Sequence, residues 1–466
     1  MASRPRSRAW AMGLAGWLFL LGGACGLWPW PRGQPTPTVQ PHPTEARGMA
    51  MPRGSPSPPP TTARPATPTA SPQPPTATPT PTVAATPPAN WARIAPLPEG
   101  PIRLTQLHMV DAQQGWAVGS RPDAPVPRIL ITDDGARTWR EVTPPVLPPA
   151  AEIREVQALF WDRDTAWVAY GYETSTLAVP GVWVTHDRGQ TWSWAPIPWT
   201  EDMAMPWFNP GPWYALDAQR AWLVVHLDAG MGHDYILLAA STDGGHSWQV
   251  VADPFADAAA DLMIMFTSGL AFAADGQYGW ATKDAGPLPA ALVVVTEDGG
   301  RSWQARPFSP WGDDRAFCST RDPHLWGRGQ GVVLVLCLTD DSNGGQRVFV
   351  AYWQHDAPQA VVPIDAPLAW EASLAFPAPG EGYLAVYPRG DEGMDDPPYR
   401  TYLFVSADDG RSWRLARELN WRGIFSWREG GEGWALADNG REVRVVHTTD
   451  RGRHWELLPE PRVITP

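Results

Sequence analysis

Lysine is nearly absent from this chain. Lys283 is the single lysine among 36 cationic residues, so arginine supplies almost all of the positive charge. Cysteine is scarce as well, with Cys25, Cys318 and Cys337 only. No Cys-x-x-Cys pair is present, which excludes the common zinc and dithiol frameworks. There is no His-Glu-x-x-His, no Gly-x-Ser-x-Gly and no phosphate-binding glycine loop, so the usual local signatures of metalloproteases, serine hydrolases and nucleotide enzymes are missing. Amphipathic runs of helical period are missing too, which leaves an all-β reading.

Charge is uneven. Residues 1–90 carry +6, and the remaining residues carry −19. An acidic globular part repels a phosphate backbone, so nucleic acid is excluded as an expected partner. What is abundant is proline (54), glycine (43) and tryptophan (28) in 466 residues. Tryptophan at that level requires a structural reason.

The N-terminus reads as an address. Arg4, Arg6 and Arg8 precede an uncharged apolar run from Ala9 to Trp30, long enough to span a bilayer. Residues 1–34 are expected to be a signal or membrane anchor. Leu21-Gly22-Gly23-Ala24-Cys25 resembles a bacterial lipobox with its leucine one place early, so lipidation at Cys25, an uncleaved anchor and a cleaved form all fit. The positive-inside bias places everything after Arg32 outside the cytoplasm. Residues 35–90 are dominated by Pro, Thr, Ala and Ser. That composition cannot bury a core and predicts an extended polyproline stalk reaching at most roughly 170 Å.

From residue 104 the sequence repeats. One element has the form Ser/Thr-x-Asp-x-Gly-x-Ser/Thr-Trp. It runs from Thr185 to Trp192, Ser241 to Trp248, Thr296 to Trp303 and Ser406 to Trp413, with altered copies from Thr132 to Trp139 and Thr448 to Trp455. Its tryptophans, Trp139, Trp192, Trp248, Trp303, Trp413 and Trp455, are spaced 53, 56, 55, 110 and 42 apart. The 110 is two periods with a decayed copy near Pro358. A second element, a small residue and an aromatic opening an apolar strand, recurs at Trp116, Trp167, Trp222, Trp280, Val332, Tyr383 and Trp434. Both give seven units. Each unit holds four short strands, as at Leu104–Val110, Trp116–Gly119, Arg128–Thr132 and Thr138–Val142. Four strands per unit of this length is the β-propeller pattern, here expected over 91–466 with antiparallel blades. Trp91–Pro98 resembles a fourth strand that the last unit already has at Trp455–Leu458, so six or eight blades also fit the two ends.

In the repeated turn the aspartate can accept hydrogen bonds from backbone N–H groups while glycine permits positive φ. Asp134, Asp187, Asp243, Asp298, Asp408 and Asp450 are therefore read as turn residues, and the six tryptophans as anchors between blades. No catalytic residue is assigned. Cys318 and Cys337 fall in one unit. They pair outside the cytoplasm or remain two buried thiols.

These motifs resemble the Asp-box (BNR) repeat superfamily, which includes sialidases, sortilin-type receptors, xyloglucanase-type glycoside hydrolases and the photosystem II stability/assembly-factor propellers. Gly115-Trp116-Ala117-Val118, the Asp boxes, seven units and the exported N-terminus resemble the assembly-factor group most. That resemblance implies protein binding rather than chemistry. The sialidase pattern departs at Pro127-Arg128-Ile129-Leu130, where proline does not follow isoleucine, and sialidases have six blades. A glycan-binding or glycosidase role is the alternative.

Propeller ligands bind opposite the Asp-box turns, where loops join second to third strands and one blade to the next. Acidic residues there (Asp123, Asp228, Asp234, Asp284, Asp340, Asp341, Asp391, Glu392, Asp395 and Asp396) would attract basic peptide or Ca²⁺ if they share a rim. No stretch has EF-hand spacing and no other cofactor is implied. Aromatics in the same loops (Trp199, Trp207, Phe208, Trp213, Trp311, Trp370 and Trp421) suit sugar stacking or a protein hot spot. The expected partner is an envelope protein, membrane complex or glycan.

Overall fold

The computed structural model describes residues 85–465 except 201–202, 231–232, 285–289, 311–316, 339–344 and 390–398. The anchor, most of the stalk and Cys25 lie outside the described residues. No helix among the described residues is long and apolar enough to cross a membrane.

Strand pairing organises the chain into consecutive four-stranded antiparallel meanders, the arrangement of a β-propeller. In unit 1 the strands are Arg103–Met109, Gly115–Arg121, Ala124–Thr132 and Thr138–Glu141. The remaining first strands are Ile153–Phe160, Trp207–Ala215, Thr267–Phe272, Cys318–Gly327, Ala369–Ala378 and Arg422–Trp427, each followed by three partners in order. From unit 2 onward, each of these first strands packs against the next. The last, Arg422–Trp427, packs against Arg103–Met109, and Met109 N–H donates to Ser426 Oγ at 2.9 Å. The first strands therefore form an inner ring closed between the last unit and the first. Short pairings also bridge neighbouring sheets: Trp207 with Glu173 and Phe208 with Tyr172, and Gln346 with Ala369.

The repeat leaves the pairing of the two ends open. Trp91–Pro98 is not a fourth strand. It makes one bridge, Ala92 to Leu147, and Trp91 packs edge-on against Tyr172 and Trp194. The extra strand comes from the C-terminus. Arg462–Val463 pairs in parallel with Thr138–Glu141, and Gly100–Pro101 pairs antiparallel outside it. Segments flanking the repeats on both sides thus cover the outer edge of unit 1, which would otherwise be an unpaired template.

The tryptophans explain the composition. Trp116, Trp167, Trp222, Trp280 and Trp434, all in second strands, are buried. Three of them donate their indole N–H across to the next unit: Trp116 to Asp162 O, Trp167 to Gly244 O and Trp222 to Gly299 O, at 2.8, 3.1 and 3.2 Å. The latter two acceptors are Asp-box glycines. Unit 5 has no such box, because the residues after Gln346–Gln354 form a tight hairpin with His355 and Asp356 at φ 53° and 61°. Trp280 therefore donates to Tyr278 Oη, which donates in turn to Asp356. A tyrosine and an aspartate stand in for the missing glycine carbonyl.

The Asp boxes share one geometry. Asp187 Oδ1 accepts from Thr185 Oγ1 and Thr191 N–H, both at 2.8 Å, and Oδ2 accepts from Thr191 Oγ1 at 2.5 Å. The same set recurs at Asp134, Asp243, Asp298 and Asp408. At Asp450 the missing hydroxyl is replaced by His454 Nδ1, 2.5 Å from Oδ2. Burial pulls the Asp450 pKa up, but the hydrogen bonds from His454 and Thr448 prevail and hold it at about 2. The other five box carboxyls are lowered against burial in the same way. Folded pKa values below the unfolded value of about 3.9 stabilise the native state above pH ~4, and that contribution is lost as pH falls toward 2. Thermal unfolding followed by circular dichroism should show the melting temperature dropping steeply between pH 4 and 2. Replacing Asp187 with Asn should flatten that drop; an unchanged slope would refute the assignment.

Trp139, Trp248 and Trp303 are buried, whereas Trp192, Trp413 and Trp455 are half-buried. Cys318 and Cys337 face each other on adjacent strands of unit 5 and form a disulfide buried on both sides.

Candidate functional site at the inner strand ends

Antiparallel pairing puts the start of each first strand, the end of each second and the start of each third on one face. The Asp boxes, between third and fourth strands, lie on the other. Pairing between first and second strands slips by one residue in units 1 to 6, near the first-strand entry in units 1, 2, 4 and 6 and further along in units 3 and 5: between Leu104 and Gln106, Ile153 and Glu155, Pro210 and Trp213, Thr267 and Gly269, Arg321 and His324, and Ala369 and Glu371. Such bulges re-aim side chains.

A belt of ionisable groups follows this inner edge. His226 Nδ1 lies 3.1 Å from Asp234 Oδ1, and Asp234 Oδ2 accepts from Thr267 N–H at 3.3 Å. Asp234 is fully buried, which corrects its assignment to an exposed rim. Its place in a third strand, opposite Ala229, turns it into the sheet. Lys283 is equally buried, and its Nζ donates to Leu262 O, Met265 O and Thr267 Oγ1. Burial lowers its pKa to about 7, with Asp234 and Asp284 partly opposing. Asp284, raised by burial, pairs with Arg321 at 3.0 Å. Asp322 is raised to about 6 by burial, and its Oδ2 accepts from Leu374 N–H at 2.8 Å. Arg422 pairs with Glu371 and lies over the Tyr387 ring, 5.1 Å from its centroid. Glu155 is raised by burial, with His226 opposing.

The belt is consumed internally. Its arginines face carboxylates, its lysine has three acceptors and its histidine has a buried carboxylate. Among the described residues no group of three or more His, Cys, Asp or Glu side chains could hold a metal ion. Sequence reasoning missed most of these residues because they converge from different units; Lys283, as the only lysine, was the available signal.

The same face carries exposed apolar side chains. Trp207 is 36 % exposed and Trp370 47 %. Leu177, Tyr235, Phe255, Phe266, Phe317, Leu338 and Tyr399 join them at strand ends or connections of this face. Of the sequence candidates, Asp228 and Asp123 are exposed here. Trp199 packs partly buried against the core shared by units 2 and 3. Phe208 is buried. Trp213 stacks edge-on with Trp248, and Trp421 with Trp455, so Trp199, Phe208, Trp213 and Trp421 are packing residues rather than a rim. Asp340, Asp341, Asp391, Glu392, Asp395, Asp396 and Trp311 lie outside the described residues.

No protein-family model and no curated protein matches this chain. Among solved structures it is similar to a GH74 xyloglucanase from Xanthomonas campestris (16 % identity, TM-score 0.46, 80 % of this chain and 55 % of that one). It is similar also to a prolyl endopeptidase (14 % identity, TM-score 0.44, 77 % of this chain and 49 % of that one). The chain spans about half the length of these two. A third likeness is to the β-propeller domain of the trilobed protease from Pyrococcus furiosus (12 % identity, TM-score 0.44, 77 % and 98 %).

Proposed function

We propose that this protein is a non-catalytic, extracytoplasmic interaction or assembly scaffold, a seven-bladed Asp-box propeller of the assembly-factor type held to the membrane by its N-terminal segment and stalk. One observation carries the reading. Exposed apolar side chains collect on the face opposite the Asp boxes, while the ionisable groups beside them, Glu155 apart, are held by internal ion pairs or hydrogen bonds. Large exposed apolar patches mark interaction surfaces, and catalytic acids and bases need a free proton-exchanging atom within reach of substrate.

The test is complementation. A deletion strain should lose one membrane or exported assembly on native gels. Wild-type protein should restore it, and so should Glu155→Gln and Asp322→Asn, which keep the fold but remove two acids of raised pKa. If those folded variants fail while binding of cell-wall glycan persists, the protein is an enzyme and the scaffold reading is wrong.

A further inference from the structure

Four exposed aromatics occupy the same position in four successive units. Trp207, Phe266, Phe317 and Trp370 each stand within one residue of the start of a first strand, in units 3, 4, 5 and 6. Their spacings of 59, 51 and 53 follow the repeat. All four are 36–47 % exposed. One exposed aromatic needs no explanation; four at equivalent positions around the inner ring do.

The sheets hold them in place. Trp207 is paired with Glu173 of the preceding unit, and its Nε1 donates to Leu227 O at 3.0 Å. Phe266 O accepts from Asp284 N–H and Phe317 O from Leu338 N–H, both at 2.9 Å, so each is tied to the second strand of its own unit. Trp370 sits at the strand slip of unit 6, and its carbonyl accepts from Gln346 Nε2 at 3.5 Å. The backbone at all four positions and the indole of Trp207 are thus held before binding, which lowers the entropy cost of docking.

Charge selects the partner. Residues 91–466 carry −19. Among the described residues, Asp228, Asp257 and Asp365 are exposed at strand ends or connections of this face, in the units that carry the aromatics. The nearby Arg321 and Arg422 are already neutralised by Asp284 and Glu371. Such a face repels anions and speeds encounter with cations.

We propose that the arc of Trp207, Phe266, Phe317 and Trp370 docks a cationic polypeptide segment bearing apolar side chains. This rests on the scaffold reading and names its surface and the chemistry of its client. The probe is a fluorescent peptide alternating Arg with Leu, added to the full-length protein in neutral detergent and read by anisotropy. It should bind, weaken at least about tenfold in the Phe266→Ser/Trp370→Ser variant and weaken further from low to high salt. Leu415→Ser, exposed at the Asp-box face, should bind as wild type. The single Trp370→Ser variant serves if the double variant melts early. Equal binding of a Glu/Leu peptide, wild-type affinity in a folded arc variant, or displacement by neutral phosphatidylcholine vesicles or a neutral oligosaccharide would overturn the proposal. A photo-crosslinker at 370 and another at 415, in native membranes, separates the two readings. Capture of the client from 415 alone removes this surface and leaves the scaffold. Capture from neither removes both.

Discussion

Replacing Trp167 with Ala should destabilise the protein by about 4 kcal/mol, the range for a fully buried aromatic lost from a packed core. Trp167 is wholly buried in a core cluster that spans units 2 and 3. Its loss opens a cavity between neighbouring sheets and leaves Gly244 O, its acceptor at 3.1 Å, without the indole N–H. Trp167→Phe separates these effects. It keeps most of the volume and removes the hydrogen bond, so its expected loss is about 1–2 kcal/mol. Gly245→Ala tests the contact from the other side. Gly245 has φ +90°, and a Cβ there would overlap the Trp167 ring. That variant should lose stability although it removes nothing. Urea unfolding measures all three, and a loss below about 1 kcal/mol for Trp167→Ala would mean the units are not held by this seam.

Lys283→Met should cost about 3 kcal/mol at alkaline pH, because Leu262 O and Thr267 Oγ1, the acceptors of the neutral amine's two N–H groups, lose their donor inside the protein. The pH dependence carries the sharper signature. Folded Lys283 titrates at about 7 through burial, whereas an unfolded lysine titrates near 10.4. Between those values the unfolded chain holds a proton that the folded chain does not. Wild-type stability therefore gains up to about 1.4 kcal/mol per pH unit as pH rises from 7 toward 10. Below pH 7 both states are protonated and the term is constant. The methionine variant lacks this slope, so the gap between the two proteins should widen from pH 7 to 10. Parallel stability profiles would show that Lys283 stays charged in the fold. An amine-reactive reagent should modify Lys283 only after denaturation.

Much of the architecture was legible in the residues. The Asp-box spacing and the small-residue–aromatic element both repeat with the blade, because each blade needs a turn of fixed chemistry and a tryptophan of fixed depth. The four strands of unit 1 fall where alternation and turn residues put them, although its second and third strands run on to Arg121 and back to Ala124. The decayed copy was visible as a doubled spacing. Its replacement was not, since Tyr278 and Asp356 lie 78 residues apart.

The site was much less legible. Local spacing places a residue on a loop or a strand but does not say which way it points. Asp234 reads as an acidic loop residue and is buried because pairing with Ala229 turns it inward beside His226. Trp213 and Trp421 read as rim aromatics and are taken up by Trp248 and Trp455. Phe266 and Phe317 carry no motif and become part of an arc only because consecutive units place their strand entries around one ring.

By itself the sequence determined the repeat, the all-β class, the turn chemistry and the polar and apolar alternation, all of which are encoded within a few residues by backbone sterics and side-chain period. Only the tertiary structure decided how the ring closes, which carboxylates are buried and which aromatics remain in water. Those outcomes depend on contacts between residues from separate blades, whose energies no local pattern contains.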